Sequence, residues 1–130
     1  FIGMYAIALY DKDKDNLILV RDRAGVKPLY YSWQNDLLLF GSELKALYKH
    51  PSFKKEIDVN SLALFLQYSY IPGQHSIFKS TFKLLPGCYL TVNLKTKEQQ
   101  LTKYWDVFDA YNQPKINCSD EEAIEQTDRL

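Results

Sequence analysis

The sequence predicts an α+β fold in which antiparallel sheets are covered by helices, and three observations carry that prediction. Met4–Tyr10, Leu17–Val20 and Leu37–Phe40 are short runs that stay apolar on both alternating faces. The polar connectors Asp11–Asn16 and Gln34–Asp36 read as hairpin turns, which makes the pairing antiparallel. An antiparallel sheet with one wetted face alternates apolar and polar residues. These runs do not, so each needs cover on both sides: a second sheet on one face and helices on the other.

The elements follow in order. Met4–Tyr10 and Leu17–Val20 form the first strand pair. Asp22–Pro28 is a seven-residue connection into a strand around Leu29–Trp33, which turns at Gln34–Asp36 into Leu37–Phe40. Ser42–Lys49 reads as a short helix. Asp58 suits the N-cap of a second helix over Val59–Tyr68, with Leu62, Phe65 and Leu66 on one face. Ile71-Pro72-Gly73 is expected to end it, because proline and glycine break helical continuation. Pro86-Gly87 turns the chain into a strand at Cys88–Leu94, paired across Lys95–Lys97 with Gln99–Trp105. Asp106–Asn117 carries few periodic apolar residues and reads as a linker. Ser119-Asp120-Glu121-Glu122 has the form of a capping box, which opens a last helix running to Leu130.

Composition narrows the function classes. An apolar fraction of 46% with 15% aromatic residues suits a packed domain, and a chain of 130 residues can bury a core. The 16 Lys and Arg balance 16 Asp and Glu. Neither nucleic acid nor a membrane surface is therefore an expected partner, since both favour a basic excess. No apolar run approaches the ~20 residues that span a bilayer. Cys88 and Cys118 are too few and too far apart for a disulfide framework or a zinc set, and read as the reduced thiols of a cytoplasmic protein.

Two segments are candidates for a pocket wall or a structural loop. The first is Arg21-Asp22-Arg23-Ala24-Gly25-Val26-Lys27-Pro28. Arg21, Arg23 and Lys27 around Asp22 could bind an anion or a carboxylate. The plainer reading has Asp22 tying the loop through backbone hydrogen bonds, with Arg21 or Arg23 paired to it. Gly25 is placed to supply positive φ, and a single glycine makes no phosphate-binding loop. The second segment is Ser42-Glu43, where a carboxylate in a first helical turn suits the dipole; a role for Glu43 beside a neighbouring site is the sharper alternative. Lys45 and Lys49 would form an exposed basic edge. His50 and His75 lack an acid–base partner or metal-ligand spacing, and Cys88 reads as core. The dispersed aromatics, among them Tyr68, Tyr70, Phe78 and Tyr104, read as packing rather than a stacking platform.

The run Arg21–Tyr31 followed by Gly41-Ser42-Glu43-Leu44-Lys45-Ala46-Leu47 resembles the RDRxGxKPLYY…GSELKAL core of the glutamine-hydrolysing asparagine synthetases, within their class II glutamine amidotransferase domain. Phe1–Asp11 is similar to that family's F-x-G-M-F-A-F-A-L-Y-D strand. Tyr70–Gly73, Ser76–Lys79 and Lys83–Leu90 are similar to its YIPxPxTIFKxIxKLPPGxYL segment, and Tyr104-Trp105 to its closing YW.

That resemblance implies a partial N-terminal-nucleophile-type αββα sandwich: residues 1–105 as the C-terminal part of a glutaminase domain, 106–118 as a linker and 119–130 as the start of the synthetase domain's first helix. In the family an N-terminal cysteine attacks the glutamine amide, and the ammonia passes to a domain where ATP activates a carboxylate such as that of aspartate. The nucleophile, the glutamine-holding residues and the ATP loop fall outside the matching positions. No catalytic, cofactor-binding or metal-binding role therefore carries over to this segment, and ATP and Mg are implied only for the full-length protein. Phe1 opens inside a strand-like run, so both ends are expected to be cuts in a longer chain, inactive by itself. The full-length protein would take glutamine and a carboxylate acceptor, with room for a homodimer. Two alternatives stand beside an asparagine synthase: an amidotransferase acting on another carboxylate, for example a sugar acid in polysaccharide synthesis, and a non-catalytic binding protein derived from the family.

Overall fold

A computed structural model describes residues 1–115 and 117–129. Ile116 and Leu130, which fall in the predicted linker and last helix, lie outside the described residues. The strands are β1 (Ala6–Asp11), β2 (Asn16–Arg21), β3 (Tyr30–Gln34), β4 (Leu37–Gly41), β5 (Thr81–Lys83), β6 (Cys88–Asn93) and β7 (Gln99–Lys103). The helices are α1 (Leu44–Tyr48), α2 (Val59–Tyr68), α3 (Val107–Tyr111) and α4 (Asp120–Asp128). All strand pairs are antiparallel, in a four-stranded sheet β1-β2-β6-β7 and a three-stranded sheet β4-β3-β5.

The three predicted hairpins, β1–β2, β3–β4 and β6–β7, are all present. Their turns place Asp15, Asn35 and Lys97 at φ of 55°, 56° and 63°, residues whose short or flexible side chains and sharp reversal suit the left-handed region. The two sheets face each other across one core. Leu19 from β2 and Leu90 and Val92 from β6 are at most 2% exposed, and Tyr31, Trp33 and Leu38 of the second sheet pack against their cluster. Each fully buried aliphatic side chain of this kind contributes ~1.5–3 kcal/mol.

The second sheet has the two-sided cover that the apolar runs demand. Its outer side carries the buried Ser32 and Thr81, joined Thr81 Oγ1 to Ser32 Oγ at 3.0 Å. Gln34 there brackets the backbone of Lys54, accepting from its N–H at 2.6 Å and donating to its carbonyl at 3.3 Å. Leu47 of α1 and Phe53 are buried over the same region. The four-stranded sheet differs. Ile7, Leu9, Ile18, Val20 and Tyr89 alternate with the core residues and so lie on its far side. Leu9 is 52% exposed and the other four are half-buried.

Several boundaries differ from expectation for local reasons. α1 starts at Leu44, because Glu43 is still extended (φ −133°, ψ 135°) and stands as N-cap. α2 has the predicted bounds, with Asp58 accepting from the Ser61 N–H at 2.7 Å. It ends before Pro72 is reached: Ser69 turns left-handed (φ 62°) and its N–H bonds the Phe65 carbonyl. Phe65 and Leu66, expected on the packed face, are 46% and 75% exposed, and Ser61 is the buried residue of the helix. β5 has no run of its own to announce it and exists as a partner of β3. The stretch read wholly as linker holds α3, whose first turn is capped by Asp106 accepting from the Phe108 N–H at 3.0 Å. The capping box at Ser119 and Glu122 is formed in both directions, at 3.3 and 2.9 Å.

Candidate functional site

The Asp22–Pro28 connection carries the chain from one sheet to the other, and its centre is the Asp22 side chain, 1% exposed. Oδ1 accepts from the Val26 N–H at 2.9 Å, and Oδ2 from the Lys27 N–H at 2.8 Å and the Tyr5 N–H at 3.4 Å. Burial by itself raises the pKa of this carboxyl. The N–H groups of Lys27, Val26, Tyr5 and Gly25 outweigh it, and the group is held below the usual carboxylate range. The backbone of Asp22 extends the same knot. Its N–H bonds the Tyr5 carbonyl at 3.0 Å, and its carbonyl accepts from Gly25 and Gly87 at 3.1 and 3.0 Å.

The expected ion pair between Asp22 and an arginine is not what the structure holds. The Arg21 guanidinium is spent on three carbonyls: Lys27 at 3.0 Å, Leu84 at 2.6 Å and Gly25 at 2.6 Å. A carboxylate already supplied with backbone donors has less need of a cation, and the planar fork of arginine matches three converging carbonyls. Arg23 and the Lys27 side chain are exposed. Gly25 has the expected positive φ, +66°, and a Cβ there would stand 2.6 Å from Pro86 Cγ and 3.1 Å from Arg21 Cζ.

Ser42 is half-buried, while Glu43 is exposed and pairs with Lys45 at 2.9 Å. Lys45 is thus not a free basic edge, and the two candidate segments do not form one polar cluster. Cys88 is buried as expected, and burial pushes its thiol pKa up. Among the described residues no three His, Cys, Asp or Glu side chains are grouped to hold a metal, and no helix is long and apolar enough to cross a membrane.

Reading by residue type missed the residues that complete the knot, because tyrosine, glycine and tryptophan carry no charge at neutral pH to mark them. Gly87, at φ +62°, accepts at its carbonyl from the Tyr104 and Trp105 N–H groups at 2.8 and 3.2 Å. A Cβ on Gly87 would stand 2.3 Å from the Trp105 carbonyl oxygen. The Tyr104 hydroxyl donates to the Arg21 carbonyl at 2.7 Å and meets the Tyr5 hydroxyl at 2.8 Å. The clustering of Arg21-Asp22, Pro86-Gly87 and Tyr104-Trp105 among the family-like motifs is the one signal that could have found them.

Residues 1–105, which hold both sheets and this knot, match the family described as glutamine amidotransferase domain. The chain belongs to this family. The chain is 37% identical over 111 residues to a provisionally named asparagine synthetase (glutamine-hydrolysing) 2 of Methanocaldococcus jannaschii, covering 84% of this chain and 22% of that protein. It is 36% identical over 113 residues to asparagine synthetase (glutamine-hydrolysing) 2 of Bacillus subtilis, covering 83% of this chain and 15% of that protein. A protein of Gibberella zeae named amidase chry2 is 32% identical over 105 residues, 81% of this chain and 15% of its own length. The chain thus spans a fifth or less of most of these relatives, 22% at most.

Proposed function

We propose that this chain is part of a glutamine-dependent asparagine synthase, in which glutamine is hydrolysed to ammonia and the ammonia amidates aspartate at the expense of ATP. The match of residues 1–105 to the glutamine amidotransferase domain carries this reading, supported by the names of the Methanocaldococcus and Bacillus relatives. In this reading the segment is the scaffold of the glutaminase domain. Asp22 and Arg21 lock the crossover between sheets, and Tyr104-Trp105 marks the exit toward the synthetase domain. Residues 106–118 serve as the linker and the helix after Ser119 opens that domain.

Among the described residues no three His, Cys, Asp or Glu side chains are grouped to hold a metal, and we assign ATP and Mg2+ no site on this segment. Both ligands belong to the remainder of the proposed protein, which we place in the cytoplasm. The test is to supply the native protein with glutamine, ATP, Mg2+ and aspartate and measure glutamate and asparagine. Both should appear, while the 130-residue chain alone should release no more ammonia from glutamine than a heat-killed control. Glutamate without asparagine would favour another acceptor. No glutamate at all would sink the proposal.

A further inference from the structure

The two edge strands of the larger sheet are joined at one end by side chains rather than by backbone pairing. The register Ala6↔Arg21, Val20↔Tyr89 and Cys88↔Lys103 brings the start of β1, the end of β2, the start of β6 and the end of β7 to the same end of the sheet. Tyr5 precedes β1 and Tyr104 follows β7, with two strands between them. Their hydroxyls nevertheless meet at 2.8 Å. Tyr104 has one hydroxyl proton and gives it to the Arg21 carbonyl, so Tyr5 must be the donor between the two rings. The result is a one-way relay, Tyr5 to Tyr104 to the β2 backbone.

This relay sits where the family match ends, at residue 105. The backbone there is doubly held, by the Tyr104 and Trp105 N–H groups on the Gly87 carbonyl. The next element, α3, presents Val107, Phe108 and Tyr111 at 56%, 68% and 84% exposure. The direction in which the chain leaves the sheet is thus set by contacts upstream of α3.

We propose that the Tyr5–Tyr104 relay is a clasp that fixes the exit direction of the chain and so positions the polypeptide beyond Trp105 for ammonia transfer. Tyr104 is its positioning residue. The inference rests on the amidotransferase reading above. If the clasp sets how the glutaminase domain meets its successor, loosening it leaks ammonia without altering either chemistry: glutamine is still hydrolysed, and externally supplied ammonia is still used.

Tyr104→Phe in the native protein tests this, because it keeps the ring and removes both hydrogen bonds. The ratio of glutamate released to amide formed should rise at least about threefold, while the rate of amidation with ammonium chloride stays as in the parent. Amide exchange at residues 104–112 should accelerate in parallel. Tyr5→Phe should give a smaller change in the same direction and add nothing to Tyr104→Phe, since a relay broken downstream cannot be broken again. It also serves if Tyr104→Phe does not fold. An unchanged ratio overturns the inference even when exchange accelerates, because the relay is then a local brace. A parent that releases no glutamate from glutamine overturns the amidotransferase reading and the transfer role with it, which only the parent's own assay shows.

Discussion

Asp22→Asn isolates the buried knot from every other feature of the crossover loop. The substitution conserves volume, so packing around the 1%-exposed side chain changes little. Its effect lies in the two short bonds, 2.9 Å from Val26 and 2.8 Å from Lys27, which end on different carboxylate oxygens. An asparagine keeps one of those oxygens and turns an N–H2 toward the other donor. One hydrogen bond to a charged acceptor is lost, about 1.5–3 kcal/mol, and a buried donor pair is left facing each other, about 1–3 kcal/mol more. The expected loss is ~2.5–6 kcal/mol, a large share of the ~5–15 kcal/mol that holds a typical domain. Urea denaturation of parent and variant at pH 7 measures it through the midpoint at constant slope.

The same pair of proteins carries a pH signature. The folded Asp22 carboxyl titrates below its unfolded value of about 3.9. Its contribution is therefore fully present above about pH 4 and is lost as pH falls through the lower, folded value. The gap between parent and variant should stay constant from pH 7 to 5 and narrow as the pH drops further. A loss under about 1 kcal/mol, or a gap that does not narrow in acid, would refute the account of Asp22 as a charged acceptor for the loop backbone.

Gly25→Val combines a left-handed φ of +66° with a Cβ 2.6 Å from the Pro86 ring. Strain and overpacking together should cost about 2–5 kcal/mol, read from the same denaturation midpoint. Gly87→Ala is expected to be the harsher change for a smaller side chain, because the 2.3 Å contact is with the Trp105 backbone oxygen rather than a movable side chain. Loss of cooperative unfolding, or of soluble protein, is the expected outcome, and a normal unfolding curve would contradict the geometry. Peptide mapping after brief alkylation of the folded protein should label the half-exposed Cys118 and spare the buried Cys88. Equal labelling would mean that the start of β6 opens.

What could be read in advance follows the range of the interactions involved. Hairpins are local, and Asp11–Asn16, Gln34–Asp36 and Lys95–Lys97 announce theirs through polar turn residues. The Asp58 cap and the Ser119 capping box are likewise decided within four residues. The facing sheets were legible in the apolar runs, whereas two-sided burial holds only for the smaller sheet, since Leu9 on the far side of the larger one is 52% exposed. β5 was not, since three residues take strand conformation only because Tyr30–Ser32 are there to pair with. At the site, the anchoring role of Asp22 and the need for glycine at 25 follow from loop chemistry. The choice of Arg21 for three carbonyls, one of them on Leu84, depends on a chain crossing 63 residues away that no local rule supplies. The Tyr5–Tyr104 relay spans 99 residues and lies further still from local reasoning.

The strand order has a consequence for how the molecule comes together. β2 and β6 are neighbours in one sheet, yet β3, β4, α1, α2 and β5 all lie between them in the chain. The hairpins can each close in microseconds. The central β2–β6 seam must wait until the whole intervening layer has been looped out and brought back, a closure whose entropy cost precedes any reward. Folding should therefore show early hairpin protection and late protection along Leu17–Val20 and Tyr89–Val92. A backbone nick in the exposed Pro51–Ser52 turn would leave two pieces held together by that seam, since each carries one of its strands.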